Sequence, residues 1–369
     1  MAQKVLVYVG TYTSPIKFGT GEILEGKGEG IYVLELNLDT GKLEPKETVT
    51  GVLNPSYLVL NGPNSCLYAV NELKEFEGKV SGSVSGFRVS QDGVPAFINK
   101  QATGGSDPCF IEVNASGTYL YVCNFMSGSV CVFPIGADGA VEPYSQFIQH
   151  EGSSVNPARQ SGPHPHSFLF SPDGRYALIP DLGLDKVVIY QVDRQTQLLN
   201  EASVSYFSTS PGAGPRHITF DPEGRFMYLI NELHSTVVAL EYHPENGSLT
   251  ELQTVSSLPP GVEAAHNTGA DIHITPDGVY LYASNRGHDS LACYRVDQKS
   301  GLLSYVSCQP SGGKTPRNFA LDPTGRYLLC ANQDSDNIIV FEINYRTGEL
   351  REKSRTTIPT PVCVKPYLF

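Results

Sequence analysis

The sequence predicts an all-β chain folded as one seven-bladed β-propeller, its ring closed by pairing the two chain ends. Three observations carry this. Separate local signatures recur along the chain at intervals near 50 residues, they count to seven, and a copy missing at the N terminus is found at the C terminus. Nothing between Met1 and Phe369 reads as a linker, so the prediction is one domain spanning 1–369.

The first signature is an apolar strand that mostly ends in a polar residue. It reads Tyr8-Val9-Gly10-Thr11, Tyr68-Ala69-Val70-Asn71, Tyr121-Val122-Cys123-Asn124, Leu178-Ile179-Pro180-Asp181, Tyr228-Leu229-Ile230-Asn231, Tyr282-Ala283-Ser284-Asn285 and Leu329-Cys330-Ala331-Asn332, with successive ends 60, 53, 57, 50, 54 and 47 residues apart. Just upstream lies the second signature, a β-rich segment running into a turn: 55–60, 108–113, 165–170, 215–220, 269–274 and 316–321. That makes six. The seventh is Thr360-Pro361-Val362-Cys363-Val364, which lines up with Thr315-Pro316-Arg317-Asn318-Phe319 and would pair beside Leu6 to Gly10, burying both terminal edges. The third signature is a hairpin turn, as in Asp39-Thr40-Gly41, Gln195-Thr196-Gln197 and Arg346-Thr347-Gly348, leading into another apolar strand. Four strands per unit make a propeller blade, and the absence of tryptophan excludes a WD-type repeat.

Composition narrows the partners. The 369 residues carry 26 Lys plus Arg against 38 Asp plus Glu, a formal charge of −12, with no basic cluster, which argues against nucleic acid. Only Val5 to Val9 is apolar near the start, too short for a signal peptide or a membrane span. The eight cysteines form no Cys-x-x-Cys pair and no short disulfide framework, so free thiols and a cytoplasmic location are expected.

Propeller geometry converts spacing into proximity. The innermost strand starts, and the second strand ends, at the same mouth of the central channel. Aligning the innermost strands places Ser56, Cys109, His166, Arg216, Ala270, Arg317 and Val362 in one ring; aligning the second strands places Tyr12, Glu72, Phe125, Leu182, Glu232, Arg286 and Gln333 in another. A purely structural repeat would favour one residue type per ring. Arginines, glutamates and a histidine at these positions therefore mark a functional mouth that binds an anion. The two longest steps contain insertions, 14–30 and 149–163, which would crown that mouth.

Each signal has a plainer reading. His164 and His166 share a face, yet no Cys/His/Asp cluster stands at ligand spacing beside them, so no metal is expected and His164 reads as a turn residue or a substrate contact. A metal-dependent hydrolase would instead draw on Glu72, Asn124, Asp181 and Glu232. Glu232 opposite the arginines could be an ordinary ion pair. Asn231 and Asn285 recur with Asn71, Asn124, Asp181 and Asn332 and read mainly as turn caps, while their place beside Glu232 and Arg286 keeps them among substrate-binding candidates. Gly19-Thr20-Gly21 and Gly26-Lys27-Gly28 lack the Ser/Thr and helix of a phosphate loop.

Taken together, Val9-Gly10-Thr11-Tyr12-Thr13, Asn54-Pro55-Ser56-Tyr57-Leu58, His164-Pro165-His166-Ser167, Asp181 to Val187, Gly214-Pro215-Arg216-His217, Asn231-Glu232-Leu233 and Ala283-Ser284-Asn285-Arg286-Gly287 resemble the propeller lactonase family. That family includes bacterial 6-phosphogluconolactonase and fungal carboxy-cis,cis-muconate cyclase, and the resemblance covers essentially the whole chain. It implies a lactone-opening or lactone-forming site at the mouth, with the family's His, Arg, Glu and Arg falling on His166, Arg216, Glu232 and Arg286. The expectation is hydrolysis of 6-phosphogluconolactone in the oxidative pentose phosphate pathway, without a cofactor. Glu232, His166 and Arg216 would be catalytic, with Glu232 orienting or activating water and His166 assisting; Arg286, Arg317, Glu72, Asn231, Asn285 and His164 would bind substrate. A carboxymuconate cycloisomerase and a non-catalytic binding propeller are the alternatives. The oligomeric state is not set by the sequence.

Overall fold

The computed structural model describes residues 4–18 and 20–369. Seven four-stranded antiparallel sheets are the blades, each ordered from the channel outward. Blade one is built from Pro361–Leu368, Val5–Thr11, Gly30–Leu36 and Leu43–Thr50. The next has Pro55–Asn61 innermost, followed by Cys66–Asn71, Ser83–Val89 and Pro95–Ala102. Innermost strands Pro108–Val113, Leu169–Phe170, Pro215–Phe220, Thr268–Ile274 and Pro316–Leu321 begin blades three to seven. No helix among the described residues is long and apolar enough to cross a membrane.

The ring closes as the repeat count requires. Val364 pairs with Val9, Lys365 with Tyr8 and Cys363 with Gly10, antiparallel. Blade four departs most from the predicted pattern. Its innermost strand shrinks to Leu169–Phe170 plus a lone bridge between Pro165 and Asp181, directly after the 149–163 insertion. An unpredicted small hairpin, Glu75–Phe76 with Lys79–Val80, stands on blade two.

The core is a set of apolar layers between neighbouring blades, with second and third strands buried on both faces. The tyrosine that opens most copies of the first signature fastens one blade to the next. Tyr8, Tyr68, Tyr121, Tyr228 and Tyr282 each donate a hydroxyl hydrogen bond to the hairpin-turn carbonyl of the following blade, at Gly93, Gly139, Gln197, Gly301 and Gly348. The accepting residues all have positive φ, from 59° to 80°, which glycine adopts without strain and which exposes that carbonyl to the neighbouring blade. Two copies carry leucine instead, Leu178 and Leu329; in blade seven Tyr327 substitutes, donating to the Leu38 carbonyl of blade one.

All eight cysteines are free, and all but Cys308 are buried.

Candidate active site

A β-bulge at the start of the innermost strand builds the site. Register skips one residue between Pro55 and Tyr57, between Pro108 and Phe110, between Pro215 and His217, and between Pro316 and Asn318. The skipped residues are Ser56, Cys109, Arg216 and Arg317. Blade one skips Val362, blade six skips Ala270 with Asp271, and in blade four His166 lies in the unpaired stretch. These are the predicted first ring. A bulge turns the extra side chain out of the ladder, here into the channel mouth.

The second ring is fixed against the first by one repeated hydrogen bond. The backbone N–H groups of Tyr12, Glu72, Phe125, Leu182, Glu232 and Gln333 donate to the carbonyls of Thr360, Asn54, Asp107, His164, Gly214 and Thr315, each the residue before the proline or its equivalent. Five of those six acceptors have positive φ, among them Thr315 at 57° and Thr360 at 38°. A β-branched residue in that region is strained, and its surroundings must hold it there.

Above the rings opens a pocket of about 640 Å³. Its floor carries Glu72, Cys109, His166, Glu232, Arg286 and Arg317. Both predicted insertions wall it. Within the first of them, Ile16–Lys17 pairs with Ile23–Leu24 as a hairpin that lays Lys17, Phe18 and Leu24 along one side. The 149–163 segment delivers Arg159 to the floor. Gly183 lets that segment lie flat, since a Cβ there would stand 1.9 Å from the Gly162 carbonyl oxygen.

Glu232 is the electrostatic centre. Its Oε2 accepts from Arg216 Nε at 2.9 Å and lies 2.8 Å from an Arg286 terminal nitrogen, while Oε1 accepts from Arg159. Burial alone would raise this carboxyl, but Arg286, Arg159 and Arg216 outweigh it and hold it well below the usual range. A carboxylate with both oxygens in ion pairs and a depressed pKa is a counter-ion that aligns arginines, and a weak base. Burial brings Arg216 down to about 10, still charged at neutral pH.

His166 is buried, with Nδ1 3.9 Å from Cys109 Sγ. Burial, then Arg216 and His217, push its pKa well below 6.5, so it is neutral at pH 7 with a lone pair available. Burial raises the Cys109 thiol, which stays protonated. Glu72 lies across the floor, its Oε2 accepting from the Tyr12 hydroxyl at 2.9 Å; burial raises its pKa against the pull of Arg317.

Three predicted substrate contacts lie elsewhere. Asn231 and Asn285 are taken up by the scaffold: Asn231 Nδ2 donates to Thr236 Oγ1 of its blade's third strand at 3.0 Å, and Asn285 is held by Ser257 and Asn267 in the segment between blades five and six. The turn-cap reading describes them. The His164 ring stacks on Phe125 and bonds its carbonyl, off the pocket lining. The four donors of the metal alternative are also dispersed in role. Asp181 is taken by His150 at 2.7 Å and Asn124 by Ser129 at 3.1 Å, and no group of three His, Cys, Asp or Glu among the described residues could hold a metal ion.

Two features escaped the sequence. Arg159 sits in an insertion, where no repeat frame assigns a position. Beneath the arginines, the residues following the bulges form a polar belt: Ser167 Oγ donates to the Arg216 carbonyl, His217 Nδ1 meets Asp271 Oδ1 at 2.7 Å, and Asn318 Nδ2 donates to Asp271 Oδ2 at 2.6 Å. Here Tyr57, Phe110 and Cys363 give way to histidine, aspartate and asparagine, a break in the repeat that the sequence did display.

Comparison with known proteins agrees with this architecture. The family model described as "Lactonase, 7-bladed beta-propeller" matches residues 6–366. A 6-phosphogluconolactonase of Bacillus subtilis (strain 168) is 35% identical over 364 residues, covering 98% of each chain. One from Formosa agariphila is 34% identical over 301 residues, covering 80% of this chain and 83% of that protein. Among solved structures, the periplasmic gluconolactonase of Pseudomonas aeruginosa superposes with a TM-score of 0.87 at 33% identity, covering 99% of both chains.

Proposed function

The chain belongs to the seven-bladed β-propeller lactonases, and from that premise we propose that it hydrolyses 6-phosphogluconolactone to 6-phosphogluconate at the channel mouth. The observation that carries this reading is the floor itself: four guanidiniums, Arg159, Arg216, Arg286 and Arg317, gathered around a neutral histidine in a walled pocket. Such a floor suits an anionic substrate whose carbonyl gains negative charge during reaction.

Hydrolysis needs a water made nucleophilic, stabilisation of the tetrahedral oxyanion, and a proton for the departing ring oxygen. His166 is the general base in this reading, because it is neutral at the pocket floor while Glu232 is occupied. The carbonyl oxygen is polarised by the Arg286 guanidinium, which lines the pocket. The proton taken by His166 is returned to the ring oxygen as the C–O bond breaks, leaving a hydroxyl and a carboxylic acid that gives up its own proton to solvent to become the carboxylate. An anionic substrate also offsets the arginine field that depresses His166, so binding moves the base toward neutrality, where it works best.

The test is hydrolysis of freshly prepared 6-phosphogluconolactone, followed by proton release. His166→Ala is expected to lower kcat at least ~100-fold, and Glu232→Gln by a similar factor through misaligned arginines. Unchanged turnover in both variants would overturn the site.

A further inference from the structure

Three of the four floor arginines are committed to Glu232, and the fourth is not. Arg317 makes no ion pair or hydrogen bond among the described residues. Its guanidinium carbon lies 5.6 Å from the Tyr12 ring centroid and 5.7 Å from that of Phe18. The nearby carboxylate does not cap it, since Glu72 is drawn to the Tyr12 hydroxyl. The two rings sit side by side, 5.9 Å apart, on one side of that guanidinium, so its N–H donors are left free for an oxyanion.

Phe18 comes from the first insertion, and that hairpin is anchored. Ile16 is buried against Tyr12 and Val362, with Phe18 and Leu24 packed onto the same cluster. Lys17, exposed and lining the same pocket, adds a second cation beside Phe18 in the chain. Hairpin and bulge thus build one cationic seat apart from the Glu232 cluster.

We propose that Arg317, packed beside Tyr12 and Phe18, is the seat of a phosphate monoester on the substrate, and that the Phe18 hairpin makes the enzyme selective for phosphorylated over unphosphorylated lactones. The proposal rests on the lactonase reading. A phosphate monoester suits the seat better than a carboxylate: it brings nearly two negative charges and three acceptor oxygens to a planar fork backed by a lysine. A site built around such donors rejects the analogue that lacks the group, because the donors are then left unpaired.

The test compares kcat/KM for 6-phosphogluconolactone and gluconolactone in the full chain and in Arg317→Met, Arg317→Lys and Phe18→Ala. Arg317→Met is expected to lose ~100-fold or more on the phosphorylated lactone, mostly in KM, and at least ~10-fold less than that on gluconolactone, so that the ratio of the two kcat/KM values collapses. Arg317→Lys keeps the charge without the fork and should fall between, by ~10-fold. Phe18→Ala should lower selectivity in the same direction, and it decides the matter with Arg317→Lys if the methionine variant does not fold. Equal losses on both lactones, or none, would overturn the seat. A wild-type chain that turns over neither lactone sinks the lactonase reading alone. The seat is then decided by calorimetry with 6-phosphogluconate and inorganic phosphate, where binding lost in Arg317→Met supports it and absent or Arg317-independent binding refutes it.

Discussion

At the residue scale, the site depends on which groups are left neutral. Burial beside Arg216 takes His217 down to about 4, with Asp271 opposing the shift. Its unfolded counterpart titrates near 6.5. Between those values the unfolded chain binds a proton that the folded chain does not, so stability is complete above about pH 6.5 and falls as pH drops toward 4. By pH 5 the loss from this one group is on the order of 2 kcal/mol. Denaturant midpoints measured at pH 7.5 and pH 5 should show it, and His217→Gln should shrink the difference; an identical pH slope in that variant would remove His217 as the cause. His166 is depressed in the same direction, so the acid limb of kcat/KM belongs below pH 6.5. A limb at pH 7 or above would point to a different base.

Elements carry the regularity, and this is where the sequence was most legible. A tyrosine three residues before the polar end of the second strand was visible as a repeat; its hydrogen bond to the next blade was not, because it spans 66 to 85 residues in chain separation. Each such bond is buried or nearly so. Tyr68→Phe deletes the hydroxyl and leaves the Gly139 carbonyl without that donor, which should cost about 1–2 kcal/mol in chemical denaturation. The ring residues were legible for a related reason. A bulge at the same place in successive blades means that one alignment column is one position on the mouth, so Arg216, Arg317 and His166 could be placed without coordinates. Arg159 and Phe18 could not, since insertions have no column. Asn231 and Asn285 misled because they adjoin true mouth residues, while alternation along a strand turns adjacent side chains to opposite sides.

At the scale of the whole molecule, the last strand joins three blades. Within Pro361–Leu368, Val364 N–H donates to Asn318 of blade seven, the strand pairs along Val5–Thr11 of blade one, and the Tyr367 hydroxyl accepts from Leu60 N–H of blade two. Lys365 reaches Tyr57 of that same blade, and Thr360 Oγ1 donates to the Tyr12 carbonyl while accepting from Lys27 and Gly28 at the base of the pocket hairpin. Val362, Cys363 and Val364 are buried at the same time. A chain ending at residue 359 would therefore expose the Val5–Thr11 edge and loosen the hairpin that carries Phe18, while every floor residue stays in the sequence. An unpaired strand edge invites association between chains, so the truncated protein should aggregate or melt well below the full chain and lose lactone hydrolysis. Adding a peptide of residues 360–369 should restore part of both properties, because it supplies the missing strand to a preformed groove. A soluble, fully active truncation would show that the ring does not need this closure.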